Sequence, residues 1–159
     1  MQIEGSCHCK AVSFTIKSHT PYPFMRCYCS ICRKTGGGGG YAINIMGAAA
    51  THNVRGDENI TVYQATRQSG EPSEARRHFC KRCGSALWLA DPRWEQWVWP
   101  LASAIDTPLP KAPEYVNIML DYAEPWSDRF DGPGQTDFAE YPVESIEDWH
   151  KKRGLYDTG

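Results

Sequence analysis

Residues 5–17, GSCHCKAVSFTIK, join a cysteine pair directly to a strand. Val12, Phe14 and Ile16 alternate with Ser13 and Thr15, the period of two that marks a half-buried β-strand over Ala11 to Lys17. Cys7 and Cys9, just upstream, are too close along the chain for an unstrained disulfide. Two thiolates on one tight turn suit a tetrahedral ion with Zn–S bonds of about 2.3 Å. The intervening His8 and the neighbouring Lys10 make the turn polar, against a reading as ordinary buried thiols. Metal and sheet are therefore expected side by side.

The same logic extends to the other cysteines, all seven of which lie within three positions of another. Cys80 to Gly84 reads CKRCG, a knuckle whose backbone amides can face two sulfurs while glycine relieves the turn. A redox CxxC would precede a helix in a βαβ unit, whereas here strand candidates Ala75 to Phe79 and Ser85 to Leu89 flank it. Neither pair completes a tetrahedron, so joining Cys7 and Cys9 to Cys80 and Cys83 gives a closed Cys₄ site. Cys27, Cys29 and Cys32 form CYCSIC, one compact loop able to hold an ion on three sides and leave the fourth to water or substrate. Spacing alone also permits these three to share a site with Cys80 and Cys83.

The chain has 159 residues, enough for one domain with its own core, so metal assists that core rather than replacing it. No stretch approaches the ~18 apolar residues of a membrane span, and MQIEGSCHC lacks a basic start followed by an apolar run. The expectation is a cytoplasmic protein with reduced thiols and no membrane partner. Net charge is −2 and the composition gives no basic footprint, so nucleic acid is not an expected partner. Glu114 to Asp148 holds ten carboxylates against Arg129 alone. The expected organisation is a single zinc-binding domain over 1–159, with 108–159 an acidic C-terminal extension.

Further strands are expected at Tyr41 to Met46, Ile60 to Gln64, Gln96 to Pro100 and Tyr115 to Leu120, giving a mostly β architecture. Ser145 and Asp148 resemble a capping box that opens a short C-terminal helix over Ile146 to Arg153, packed through Ile146 and Trp149. Trp88, Trp97 and Trp99 are read as core, and His52 and His150 as exposed. His78 is a weak fourth-ligand or proton-carrier candidate because it stands two positions before Cys80. The run Gly36 to Gly40 fits either an anion-binding nest or a mobile loop. It satisfies no nucleotide fingerprint.

Taken together, GSCHCKAVSF, CYCSICRKTGG and FCKRCGS resemble the glutathione-dependent formaldehyde-activating enzyme family, which also contains centromere protein V. The resemblance covers Ile3 to Leu89. It implies a zinc-bearing β-tent-like fold of short antiparallel strands and two zinc ions per chain. By position, Cys7, Cys9, Cys80 and Cys83 take the structural zinc, and Cys27, Cys29 and Cys32 take the catalytic zinc. The implied reaction resembles that of S-(hydroxymethyl)glutathione synthase, a carbon–sulfur lyase in the reverse direction, with a small aldehyde such as formaldehyde and a small thiol such as glutathione as partners. Arg33 and Lys34 follow the three-thiol loop and are candidate clamps for a substrate carboxylate. Two other readings compete: a zinc-stabilised binding module with a fourth protein ligand on the second ion, and a thiol redox sensor that releases zinc on oxidation.

Overall fold

The computed structural model describes residues 1–67 and 69–156. In chain order its strands are β1 (Gln2–Ser6), β2 (Ser13–Lys17), β3 (Phe24–Cys27), β4 (Ala42–Asn44), β5 (Gly47–Ala48), β6 (Asn53–Arg55), β7 (Ile60–Thr66), β8 (Pro72–Cys80), β9 (Ala86–Ala90), β10 (Trp97–Pro100), β11 (Tyr115–Ile118) and β12 (Gln135–Asp137). Two short helices complete it, α1 (Ser30–Gly36) and α2 (Ile146–Lys152). The fold is mostly β, as the strand pattern requires. Two compact units form, one from residues 2–18 with 47–108, the other from residues 19–46 with the chain from 109 on.

The first unit holds two antiparallel sheets. One has the order β1-β2-β6 and pairs Ile3 with Ile16 and Gly5 with Phe14. Val12, Phe14 and Ile16 are at most 2% exposed, so the alternation that announced β2 is the alternation that buries it. Strand β1 was not expected, because Ile3 is its one buried apolar side chain between Gln2 and Glu4. Gly5 is needed there: a Cβ would lie 2.3 Å from the Phe14 ring, so the aromatic across the ladder covers the glycine. The second sheet runs β5-β10-β9-β8-β7 and carries buried Leu87, Trp88, Trp97 and Val98. Its register shifts between His78 and Phe79, a bulge immediately before β8 ends at Cys80.

The second unit holds the sheet β12-β11-β3-β4. Here β11 runs parallel to both β3 and β12, while β3 and β4 are antiparallel. This sheet adds parallel pairs to the expected antiparallel ones, because a long excursion separates β3 from β11 and permits parallel return. The acidic stretch supplies β11, β12 and α2, so it builds the sheet on which Cys27 lies. Ser145 caps α2 by accepting from the Asp148 amide at 3.0 Å, and Ile146 and Trp149 are buried beneath it. His150 departs from its expected exposure: it is fully buried and its Nε2 donates to the Tyr22 carbonyl at 2.6 Å. A seven-residue helix gave too few periodic positions to show that its second face is covered as well.

The glycine run is a tight turn. Gly36 ends α1, Gly40 donates to the Gly37 carbonyl at 3.0 Å, and Ser127 Oγ donates to the Gly39 carbonyl at 3.1 Å. At Gly40 φ is +93°, and a Cβ would lie 2.2 Å from Ser127 Oγ. Gly38 has open space around it.

Candidate metal centres

In the first unit, two chain reversals bring four sulfurs together. After β1, the Cys7 amide donates to the Val12 carbonyl and the Lys10 amide to the Cys7 carbonyl, both at 3.0 Å. Lys10 takes a left-handed φ of 62° to close this turn. After β8, the Cys80 amide donates to the Ser85 carbonyl at 2.9 Å and the Gly84 amide to the Cys80 carbonyl at 2.8 Å, with Gly84 left-handed at φ 74°. Each reversal therefore presents two sulfurs on one side, and Cys7, Cys9, Cys80 and Cys83 place their sulfurs within 4.8 Å of one another. Cys7 and Cys80 are buried, and Cys9 and Cys83 are exposed.

The spacing tests whether zinc fits. A tetrahedron with 2.3 Å arms has edges of about 3.8 Å. The Cys7–Cys9 and Cys9–Cys80 sulfurs are 3.6 and 3.7 Å apart. Polar hydrogens already converge on the sulfurs: the Val12 amide reaches Cys7 Sγ at 3.2 Å and Ser85 Oγ lies 3.2 Å from Cys83 Sγ. The four sulfurs perturb one another. The Ser85 hydroxyl and amide bring Cys83 down to about 5, whereas the Ala11 amide fails to offset desolvation and the neighbouring sulfurs, which push Cys9 up to about 11. A dication is what would allow all four to be thiolates at once.

In the second unit, Cys27, Cys29 and Cys32 place their sulfurs within 4.8 Å of one another. They do not form the loop expected from CYCSIC. Cys27 ends β3, Cys29 is the N-cap of α1 and Cys32 stands in its first turn, so a strand end and a helix start hold the trio. The Cys32 amide donates to Cys29 Sγ at 3.4 Å. Cys27 and Cys32 are buried, and Cys29 is half-buried. Hydrogen bonds from the Cys27 and Cys32 thiols bring Cys29 down to about 2, and hydrogen bonds with Cys29 and Cys32, followed by burial, hold Cys27 well above the thiol range. Among the described residues no fourth ligating side chain lies within the same radius. The donor set suits zinc bound on three sides.

Of the remaining candidates, Arg33 is half-buried and ion-paired to Glu124 at 2.6 Å, whereas Lys34 is exposed. His78 joins neither sulfur cluster: it stacks on Trp88 at 5.1 Å, and burial lowers its pKa. His52, expected to be exposed, is half-buried edge-on to Trp88 at 4.7 Å, and burial followed by His78 brings it down to about 4. Trp88 and Trp97 are core, as expected, and Trp99 is half-buried. Sequence reasoning missed Ser85. A hydroxyl two positions after Cys83, in a knuckle that needs donors, was its available signal.

The family model described as "Glutathione-dependent formaldehyde-activating enzyme" matches residues 2–120. The chain belongs to this family. A Halomonas elongata protein named "Putative glutathione-dependent formaldehyde-activating enzyme" is 54% identical over 155 residues, covering 98% of each chain. The crystal structure of a Rhodobacter sphaeroides protein superposes with a TM-score of 0.54 at 27% identity, covering 67% of this chain and 91% of that one. The match across the three cysteine blocks bears out the resemblance read from them. No helix among the described residues is long and apolar enough to cross a membrane.

Proposed function

We propose that this member of the formaldehyde-activating enzyme family is a zinc-dependent carbon–sulfur lyase, resembling S-(hydroxymethyl)glutathione synthase, that joins a small aldehyde to a low-molecular-weight thiol such as glutathione in the cytoplasm. The observation that carries this reading is the contrast between the clusters: four sulfurs at tetrahedral spacing in one, three sulfurs with a half-buried Cys29 in the other. On this reading Cys7, Cys9, Cys80 and Cys83 hold a structural zinc, and Cys27, Cys29 and Cys32 hold a catalytic one. Zinc bound there supplies a Lewis acid and an anchor for a thiolate.

The chain's own residues supply the rest. Strand β3 and helix α1 hold the three sulfurs on regular elements and not on a free loop. Cys29 is the member that reaches solvent, and incoming groups approach on its side. Lys34, exposed on the same helix, attracts a carboxylate, while Arg33 must first give up Glu124 to do the same. In the reaction the thiolate sulfur attacks the aldehyde carbon, a C–S bond forms, and the carbonyl electron pair moves to oxygen, which takes up one proton. The reverse releases thiol and aldehyde.

Exchange NMR on formaldehyde and glutathione, with zinc stoichiometry measured on the same sample, tests the proposal. Two zinc ions with accelerated exchange support it. One zinc per chain, or two with exchange at the uncatalysed rate, overturns it.

A further inference from the structure

On strand β3, Cys27 and Arg26 point to opposite faces of the sheet. Arg26 is 7% exposed, and among the described residues it forms no ion pair. A buried guanidinium without a counter-charge is costly unless something else is recruited to it. The protein provides part of the answer. Nη1 donates to Gln135 Oε1 at 3.1 Å and to Asn117 Oδ1 at 3.4 Å. Asn117 is oriented in turn by donating to Asp137 Oδ1 at 2.7 Å and Gln135 Oε1 at 3.1 Å. These partners come from β11 and β12, aligned on β3 by the register Arg26–Asn117–Asp137.

Three rings wall the group. The guanidinium carbon lies 4.0 Å from the centroids of Tyr115 and Phe130 and 5.4 Å from that of Tyr41. Phe130 is itself 37% exposed, so the rim of this aromatic box opens to the surface. Nη1 alone is satisfied: Nε is buried with no partner, and no hydrogen bond engages Nη2 among the described residues. Nε and Nη2 share one edge of the planar group, the edge that takes a carboxylate through two parallel hydrogen bonds. Desolvation by the rings strengthens such a pair relative to one in open water.

We propose that the Nε–Nη2 edge of Arg26 is an anion site that takes a carboxylate of the thiol substrate, with Asn117 and Gln135 positioning the guanidinium and Phe130 forming its rim. This deepens the reading above and rests on it for the identity of the ligand. The site lies on the sheet face opposite Cys27, so it holds the carboxylate end of the thiol and not its sulfur. A neutral thiol lacks that attachment.

The test uses the zinc-loaded full chain and S-methylglutathione, whose blocked sulfur leaves its carboxylates as the main handles. Calorimetric titration should show Arg26→Lys binding this probe roughly tenfold to a hundredfold more weakly than the wild type. In turnover of formaldehyde with glutathione, the variant should show a raised KM with kcat nearly unchanged. Equal affinity and equal KM in the two proteins overturn the Arg26 site while leaving the enzyme reading intact. A wild type that binds the probe through Arg26 but turns nothing over retains the site and refutes the reaction. If Arg26→Lys fails to fold by circular dichroism, the arginine Nε–Hε resonances of ¹⁵N-labelled wild type decide. A saturable shift of the Arg26 signal with S-methylglutathione, absent with its dimethyl ester, supports the site; an unmoved signal overturns it.

Discussion

Taking Cys80 and Cys83 out of the four-sulfur centre by a Cys80→Ser/Cys83→Ser double substitution should cost far more stability than the matching Cys29→Ser/Cys32→Ser change. Their sulfurs meet those of Cys7 and Cys9 across a separation such as the 71 positions from Cys9 to Cys80. An ion bound there would act as a cross-link, and loop-closure entropy for a link of that span is about 4.4 kcal/mol. Cys27 to Cys32 spans five positions, already ordered by β3 and α1, and the same relation gives about 2 kcal/mol. For a chain of this length, 1 kcal/mol shifts the melting temperature by about 2–4 °C, so the first variant should lose about 9–18 °C and the second about 4–8 °C. Thermal unfolding followed by circular dichroism, on samples of measured zinc content, provides the comparison. The second variant should lose turnover as well. Equal falls in Tm, or a larger fall for Cys29→Ser/Cys32→Ser, would refute the assignment of structural and catalytic roles.

The glycine turn gives a paired test: Gly40→Ala should destabilise by about 2 kcal/mol or more through its left-handed backbone and the Ser127 clash, whereas Gly38→Ala should stay within about 0.5 kcal/mol, both read as Tm. Gly84→Ala, where space is open but φ is 74°, should cost about 1 kcal/mol from the backbone alone in the same assay. His52 is held neutral by burial, with a folded pKa near 4 against 6.5 unfolded. Below pH 6.5 the unfolded chain takes up the proton first, so this group's contribution, complete above pH 6.5, is lost as pH falls towards 4. The stability gap between wild type and His52→Gln, from urea unfolding, should therefore shift towards the variant by about 2 kcal/mol from pH 7 to pH 4.5. A pH-independent gap contradicts the burial argument. Arg33→Met should destabilise by about 1 kcal/mol by leaving Glu124 unpaired, and Lys34→Ala by less than 0.5 kcal/mol, again by urea titration.

Much of this protein is local in origin, and the local part was legible. Spacing within each cysteine block brings sulfurs together on one turn, a period of two announces β2, and Ser145 with Asp148 opens α2, because each depends on neighbours a few positions away. The division of seven cysteines into four and three was decided by tertiary structure. It follows from which strand ends meet, and β1 with β2 and β8 with β9 converge in one unit while β3 leads into α1 in the other. Sheet alignment likewise decided the Arg26 box, since Asn117, Phe130 and Gln135 reach it only through parallel pairing of β3, β11 and β12. No short-range pattern marks a partner about a hundred residues away. Thiol chemistry is written into the composition; which sulfurs come together, and which charge is left buried without an ion pair, depends on long-range pairing whose energy is realised only when the chain has folded.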